Sequence, residues 1–298
     1  MNYSMLEMPI GTIPKKLFDF HIDYNITDFC YTKSGFLFLL TDDHCIGRVA
    51  FNGNIELPFI GKIGERGKED GYASLLSFPS SICYYKDWDI AFIIENGGDT
   101  IKEINFNPPY TINLLSDAAK EPISKFFINS KERIAGTCCD VARDRKIYWG
   151  VRNLHRVFKR EEMDTKVFFG NGRNGFSLAN KKEDCSISCP SGIKILNKCL
   201  YILEQGNNCI RQIQDDKTSV IAGVPQKSGD EEGDSMRSKF NGPRKLTGFR
   251  NMLYFINGDK IKYCALIQKQ IGTAYTSNNI VSIDSDQDKK IYIMEKQK

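Results

Sequence analysis

Histidine is nearly missing from this sequence: His21, His44 and His155 are the only three in 298 residues. None stands in a Ser-His-Asp, His-Glu-x-x-His or Cys-His spacing, so the hydrolytic chemistries built on those constellations find no support. Long apolar runs are also lacking. The best, Phe36 to Leu40 and Ile90 to Ile94, are far shorter than the roughly 20 residues needed to span a bilayer, and no membrane partner is expected. The first residues carry no apolar signal core, because Pro9, Gly11 and Pro14 interrupt every hydrophobic run. Ten cysteines are present without a single Cys-x-x-Cys pair, which argues against a structural zinc knuckle. With no secretory signal, reduced thiols and a cytoplasmic location are expected. No helical period continues beyond two turns.

What is present is ordinary in bulk and uneven in detail. Hydrophobic residues make up 41% and charged residues 26%, close to globular averages, so a folded chain is expected. The net charge of +4 divides unequally. Residues 1–150 hold 16 Lys and Arg against 20 Asp and Glu, and residues 151–298 hold 25 against 17. An acidic partner would therefore favour the second half.

One unit recurs: a short strand often led by Pro, a turn, a strongly apolar strand, a Gly/Asn/Asp turn, and a strand with Ile before Lys or Arg. Its clearest copies are Phe78-Pro79-Ser80-Ser81-Ile82-Cys83 with Ile90 to Ile94 and Thr100 to Ile104, and Cys189-Pro190-Ser191-Gly192-Ile193 with Leu200 to Leu203 and Cys209 to Ile213. Aligned on the second strand, Phe38, Phe92, Tyr148, Tyr201, Tyr254 and Tyr292 are 54, 56, 53, 53 and 38 residues apart. Alternating β-branched, aromatic and polar residues between turn formers predict an all-β chain. Sheets this small cannot bury both faces alone, and a repeat of this length predicts a radial array of them. The expectation is one six-bladed β-propeller over residues 1–298, its blades starting near 25, 78, 137, 189, 243 and 279. The last unit stops after its second strand, so residues 1–24 are expected to supply the missing strands and close the ring.

The repeat resembles that of the NHL family, with its glycine-rich approach, Asp-Gly, Pro-led strand and Asp-x-x-Asn-x-x-Ile-Arg turn. The best match reads Gly61, Gly64, Gly67, Asp70-Gly71, Ala73, Phe78-Pro79, Glu95 and Ile101-Lys102. A second reads Gly170, Gly172, Gly175, Ala179, Pro190, Glu204, Asn207 and Ile210-Arg211, and a third approach reads Ala222-Gly223, Gly229-Asp230, Gly233-Asp234, Phe240 and Pro243. The family's turn Asp is Glu at 95 and 204, and the first, third and sixth units keep only the strand pattern. The resemblance implies a propeller used mainly for protein or RNA contacts, with a minority of enzymes among its relatives; fold alone does not choose between them.

Individual sites offer little chemistry. Cys185, Cys189, Cys199 and Cys209 share one unit, and Cys30, Cys83 and Cys139 sit near equivalent first-strand positions, which reads as packing by small buried side chains. Glu95, Asn96, Glu204 and Asn207 could suggest the metal-holding channel of propeller hydrolases, but their repeated place after the second strand marks them as turn formers. The acidic loop from Gly229 to Asp234 lacks the regular spacing of a calcium loop and reads as solvated. No metal, cofactor or catalytic residue is expected. The candidate binding residues are basic: Arg152, His155, Arg156, Lys159 and Arg160, and a second cluster of Arg237, Lys239, Arg244, Lys245 and Arg250. If both clusters faced one side they would make a footprint for RNA or an acidic protein surface, though only Phe158 and Phe249 lie nearby to stack on bases. The leading reading is a non-catalytic scaffold for protein–protein interaction within a larger intracellular assembly. An RNA-binding propeller comes second and a metal-dependent hydrolase third.

Overall fold

The computed structural model describes residues 1–67, 75–95, 100–106, 111–117, 137–162, 164–179 and 181–298. The chain opens with β1 (Asn2–Pro9) and β2 (Lys15–His21), then lays down antiparallel sheets in order. Blade one is β3 (Ile26–Tyr31), β4 (Phe36–Thr41), β5 (Cys45–Ala50) and β6 (Ile55–Gly61). Blade two is β7 (Ser81–Tyr85), β8 (Ile90–Glu95), β9 (Thr100–Asn105) and β10 (Thr111–Asp117). Blade three is β11 (Thr137–Val141), β12 (Ile147–Val151), β13 (Arg156–Glu161) and β14 (Asp164–Phe169). Blade four is β15 (Pro190–Leu196), β16 (Cys199–Glu204), β17 (Cys209–Gln214) and β18 (Lys217–Ala222). Blade five is preceded by the two-residue β19 (Gly233–Asp234), which pairs with its outer strand; its own strands are β20 (Arg244–Phe249), β21 (Met252–Asn257), β22 (Lys260–Ala265) and β23 (Gln270–Thr276). Blade six holds β24 (Ile280–Ser285) and β25 (Lys290–Lys296), and its order β24-β25-β1-β2 makes the N-terminal strands its outer half.

The fold is therefore an all-β six-bladed propeller with the ring closed by β1 and β2. Its stability follows from strand alternation, because successive side chains point to opposite faces and each inner strand can feed two neighbouring interfaces. In β4, Phe38 and Leu40 enter a cluster with Ile82 and Ile93 of blade two, while Leu37 and Leu39 enter one with Tyr292 and Met294 of blade six. Six buried clusters fill the six blade junctions in this way. Because both faces are covered, the second strands read as unbroken apolar runs rather than alternating ones.

Turns divide by side. The first and third turns of each blade lie on one face of the disc, called front here, and the second turns and blade-to-blade links lie on the other, called back. The first strands line a central channel. The six aromatics that align the repeat pair across to Cys30, Cys83, Asp140, Lys194, Thr247 and Asp284, so the repeat register marks one channel-side position per blade.

Candidate functional site

The back face is occupied by structural bonds. Phe78, Cys189 and Gly242 each precede an inner-strand proline and take positive φ of 50°, 50° and 59°. The backbone N–H of each donates to a side chain from the previous blade: His44 Nδ1 at 3.2 Å, His155 Nδ1 at 3.2 Å and Asn208 Oδ1 at 2.9 Å. These repeating latches use two of the three histidines. His155 and Arg152 hold the half-buried Cys189 thiol below its ordinary value, against the opposite pull of burial.

A second repeated device is a buried cation on the third strand: Lys102, Arg211 and Lys262 are all fully enclosed. Glu204, also fully buried, accepts from the Arg211 Nε and from Asn207, and takes the Ser188 N–H at 3.2 Å. Arg211 spends its remaining donors on the carbonyls of Ser177 at 2.7 Å and Ser186 at 2.9 Å and lies over the Phe176 ring. Glu95 is likewise buried and accepts from the Ser77 N–H at 2.9 Å. Both glutamates are thus structural, through burial and, for Glu204, ion pairing, rather than as turn formers; Asp70, Gly71, Ala73 and Asn96 lie outside the described residues. The acidic loop has a partner as well. Asp230 reaches Lys262 at 2.6 Å and Asn257 at 3.0 Å, and Glu232 reaches Lys262 at 3.4 Å, so the loop neutralises a buried lysine.

The channel wall carries charge of both signs. Lys245 pairs with Asp28 at 2.7 Å, and Lys194 with Asp140 at 3.3 Å. Burial opposes the charge on Lys194, but Asp140 and Asp284 outweigh it and hold that ammonium above its ordinary value. Burial raises Asp284 to about 6, although it accepts the Tyr31 N–H at 3.0 Å. The space between these groups is about 50 Å³, room for little more than ordered water.

The basic residues singled out from sequence do not form one surface. Arg152 and Arg237 are exposed on back-face connections. Arg156 donates to the Asn171 carbonyl at 2.9 Å, its guanidinium packed where a side chain at Gly172 would stand. Lys159 pairs with Glu161 at 2.6 Å, and Lys239 with Glu231 at 2.9 Å. Arg160 alternates with Lys159 and is buried toward blade two. Arg244 is wedged against blade six, donating to Ile280 and Val281 carbonyls at 2.8 and 2.9 Å, and Lys245 lies in the channel wall.

The front face holds a cleft of about 920 Å³ that starts at the channel mouth and runs between blades three and four. Its apolar walls are Tyr148 and Phe168 from blade three, with rings edge to face at 5.0 Å, and Ile195, Leu196 and Ile213 from blade four. Its inner end is crossed by the Lys194–Asp140 pair and by the Ile195 N–H donating to Asp140 at 2.7 Å. The rim is made of tight turns. Asn197 and Lys198, with φ of 52° and 63°, form the two-residue hairpin of blade four, and Asn197 Nδ2 ties it to blade five by donating to the Arg250 carbonyl at 2.8 Å. Lys86 pairs with Asp288 at 2.5 Å, Lys146 with Asp144 at 2.7 Å, and Lys182 with Asp216. Asp87 accepts from the Tyr85 hydroxyl at 3.1 Å. Arg143, Lys198 and Arg250 are exposed on the rim and have no acidic partner among the described residues.

Sequence reasoning singled out Arg250 only within a basic run and missed Arg143, Lys198, Tyr148 and Phe168 as a group. The available signal was positional, since Arg143, Lys198 and Arg250 all fall in first turns of consecutive blades. Among the described residues, no group of His, Cys, Asp and Glu is arranged to hold a metal ion. Among the described residues, no helix is long and apolar enough to cross a membrane.

Solved structures similar to this chain agree on the fold. A chain of the nidogen/laminin complex superposes with a TM-score of 0.57 at 11% identity, covering 99% of this chain and 98% of that one. An auxiliary nutrient binding protein from Bacteroides thetaiotaomicron gives 0.52 at 12% identity, covering 99% and 77%. Virginiamycin B lyase from Staphylococcus aureus gives 0.51 at 13% identity, covering 99% and 100%. At these identities the likeness concerns architecture alone. No protein-family model matches the chain, and no curated protein matches it in sequence.

Proposed function

We propose that this propeller is a non-catalytic platform of the NHL type that docks another protein on its front face, as a subunit of a larger cytoplasmic assembly. The observation that carries the reading is the front cleft: about 920 Å³, walled by apolar side chains from two blades and rimmed by charged turns on a rigid ring. Such a combination of apolar floor and convergent polar groups is what a binding site requires. The back face supports the choice indirectly, because His155, Arg156 and the Glu204–Arg211 pair are committed to holding blades and links together. Propellers of similar shape include a component of the nidogen/laminin complex and a nutrient-binding protein, so the architecture serves binding elsewhere. The cytoplasmic assignment rests on ten free cysteines, eight of them buried, an inventory suited to a reducing compartment.

A photo-crosslinking residue at position 198 tests the front face, with one at position 237 as the back-face comparison. The reading expects RNase-resistant protein adducts from position 198 and few from 237. Adducts only from 237 would move the docking surface to the back face, and adducts that vanish with RNase would replace the reading with the RNA-binding alternative. For that alternative Arg152→Glu and Arg237→Glu are the informative substitutions, since both side chains are exposed, whereas Arg156→Glu would disturb the loop at Asn171.

A further inference from the structure

We infer that the front cleft recognises a short acidic peptide segment carrying one large apolar side chain, inserted between blades three and four with its carboxylates on Arg143, Lys198 and Arg250. The inference rests on the reading of that cleft as the docking surface. It follows from which charges are already used.

Around the rim, Lys86, Lys146, Lys182 and Lys194 each have a carboxylate within reach, and Asp87 is bonded to Tyr85. The four ion pairs are internally neutralised and offer an incoming ligand little, whereas Asp87, held by a neutral hydroxyl, keeps its charge. Three cations remain without acidic partners among the described residues, against two carboxylates without a cationic one, those of Asp87 and the exposed Asp215. The three sit on the first turns of blades three, four and five, so they form an arc across the cleft rather than a patch on one strand. A guanidinium or ammonium on such a turn takes a carboxylate directly, and a guanidinium can do so through two parallel bonds.

The floor sets the second half of the ligand. Tyr148, Phe168 and Ile195, packed against the junction cluster between blades three and four, and Leu196, packed against the one between blades four and five, are each only partly buried, so apolar surface faces the opening. An aromatic or long aliphatic side chain would cover it, and such an anchor is where interface energy concentrates. A nucleic acid fits less well. The three unpaired cations stand on separate turns and make no continuous track for a run of phosphates, while the Phe168 ring is edge-on to Tyr148 and already has the Lys182 ammonium over it at 4.6 Å, leaving no open ring face for a base.

The test uses the full chain and a fluorescein-labelled pentapeptide with one phenylalanine flanked by two glutamates on each side, followed by fluorescence anisotropy. Replacing the glutamates by glutamine, or the phenylalanine by alanine, is expected to weaken binding by about tenfold each, an amount typical of losing a charge-assisted or anchoring contact. Lys198→Glu and Arg250→Glu should each weaken the parent peptide by about fivefold or more, and raising salt from about 0.05 M to about 0.3 M should weaken it further. Arg237→Glu on the back face should leave it unchanged. Lys198 and Arg250 are exposed turn residues, so an unaltered melting curve will separate lost binding from lost folding. Equal binding of the glutamate and glutamine peptides, indifference to both front-face reversals, or stronger binding of a ten-nucleotide oligouridylate would each overturn the inference. Should the peptide fail while a crosslinker at position 198 still traps a protein, the docking reading stands and the acidic chemistry falls. Should both fail, the front cleft is not the docking surface.

Discussion

Cys189 on the back face and Asp284 in the channel wall show how one fold moves two acids in opposite directions. Burial pushes Cys30 far above its ordinary range and Cys138 up to about 12, whereas His155 and Arg152 draw Cys189 down. Since the thiolate is the reactive form, iodoacetamide at neutral pH should alkylate Cys189 first among the ten cysteines, and His155→Ala should slow that labelling severalfold; peptide mapping over time would check both. Asp284 has the contrary problem. It faces Lys194 and Asp28 across the channel, and burial raises it from 3.8 to about 6. Between those values the folded chain holds a proton that the unfolded chain has released, so stability falls as pH rises through the window and the loss is complete above it. The cost is at most about 2–3 kcal/mol. Asp284→Asn should remove that slope and raise the urea midpoint above the window while leaving it nearly unchanged below, as denaturation curves at several pH values would show.

The third strand of each blade is where charge and packing meet, and it explains what was legible in the sequence. Ile210-Arg211 and Ile101-Lys102 were recognisable as a repeated pair, and the pairing of Arg211 with Glu204 follows a spacing visible in both units. Glu204→Gln leaves a buried guanidinium uncompensated and should destabilise the chain by about 3–5 kcal/mol, whereas replacing both partners by apolar residues should cost markedly less. Urea unfolding of the single and double variants would test this. The aligned aromatics Phe38 to Tyr292 likewise gave the blades, because apolar alternation and turn residues are local properties. Candidate sites were harder to read. Arg156, Lys159 and Arg160 look like one basic run, yet strand alternation sends Lys159 to its Glu161 partner and Arg160 into the junction with blade two. Lys245 and Asp28, or Lys262 and Asp230, are brought together only when the ring closes or a linker folds back. The cleft is also assembled from separate blades, so its residues share a turn position but no continuous motif.

Ring closure governs the molecule as a whole. Tyr3, Met5, Phe20 and Ile22 complete the junction between blades six and one, and at about 2 kcal/mol for each buried side chain their loss would remove most of a typical net stability. Removing residues 1–24 would also uncover the long edge of β25. The truncated chain should therefore aggregate or lose its cooperative melt, as size-exclusion chromatography and circular dichroism would reveal. Asn2 and Gln297 also lie side by side, the Gln297 N–H donating to the Asn2 carbonyl at 2.8 Å, and β1 runs antiparallel to β25 from that same end. A load applied between those two residues thus pulls across the strands and parts their hydrogen bonds one after another instead of all at once. The clasp that secures the ring against heat and denaturant is, for this direction of tension, its weakest mechanical element, and single-molecule stretching from residues 2 and 297 should open blade six before any other.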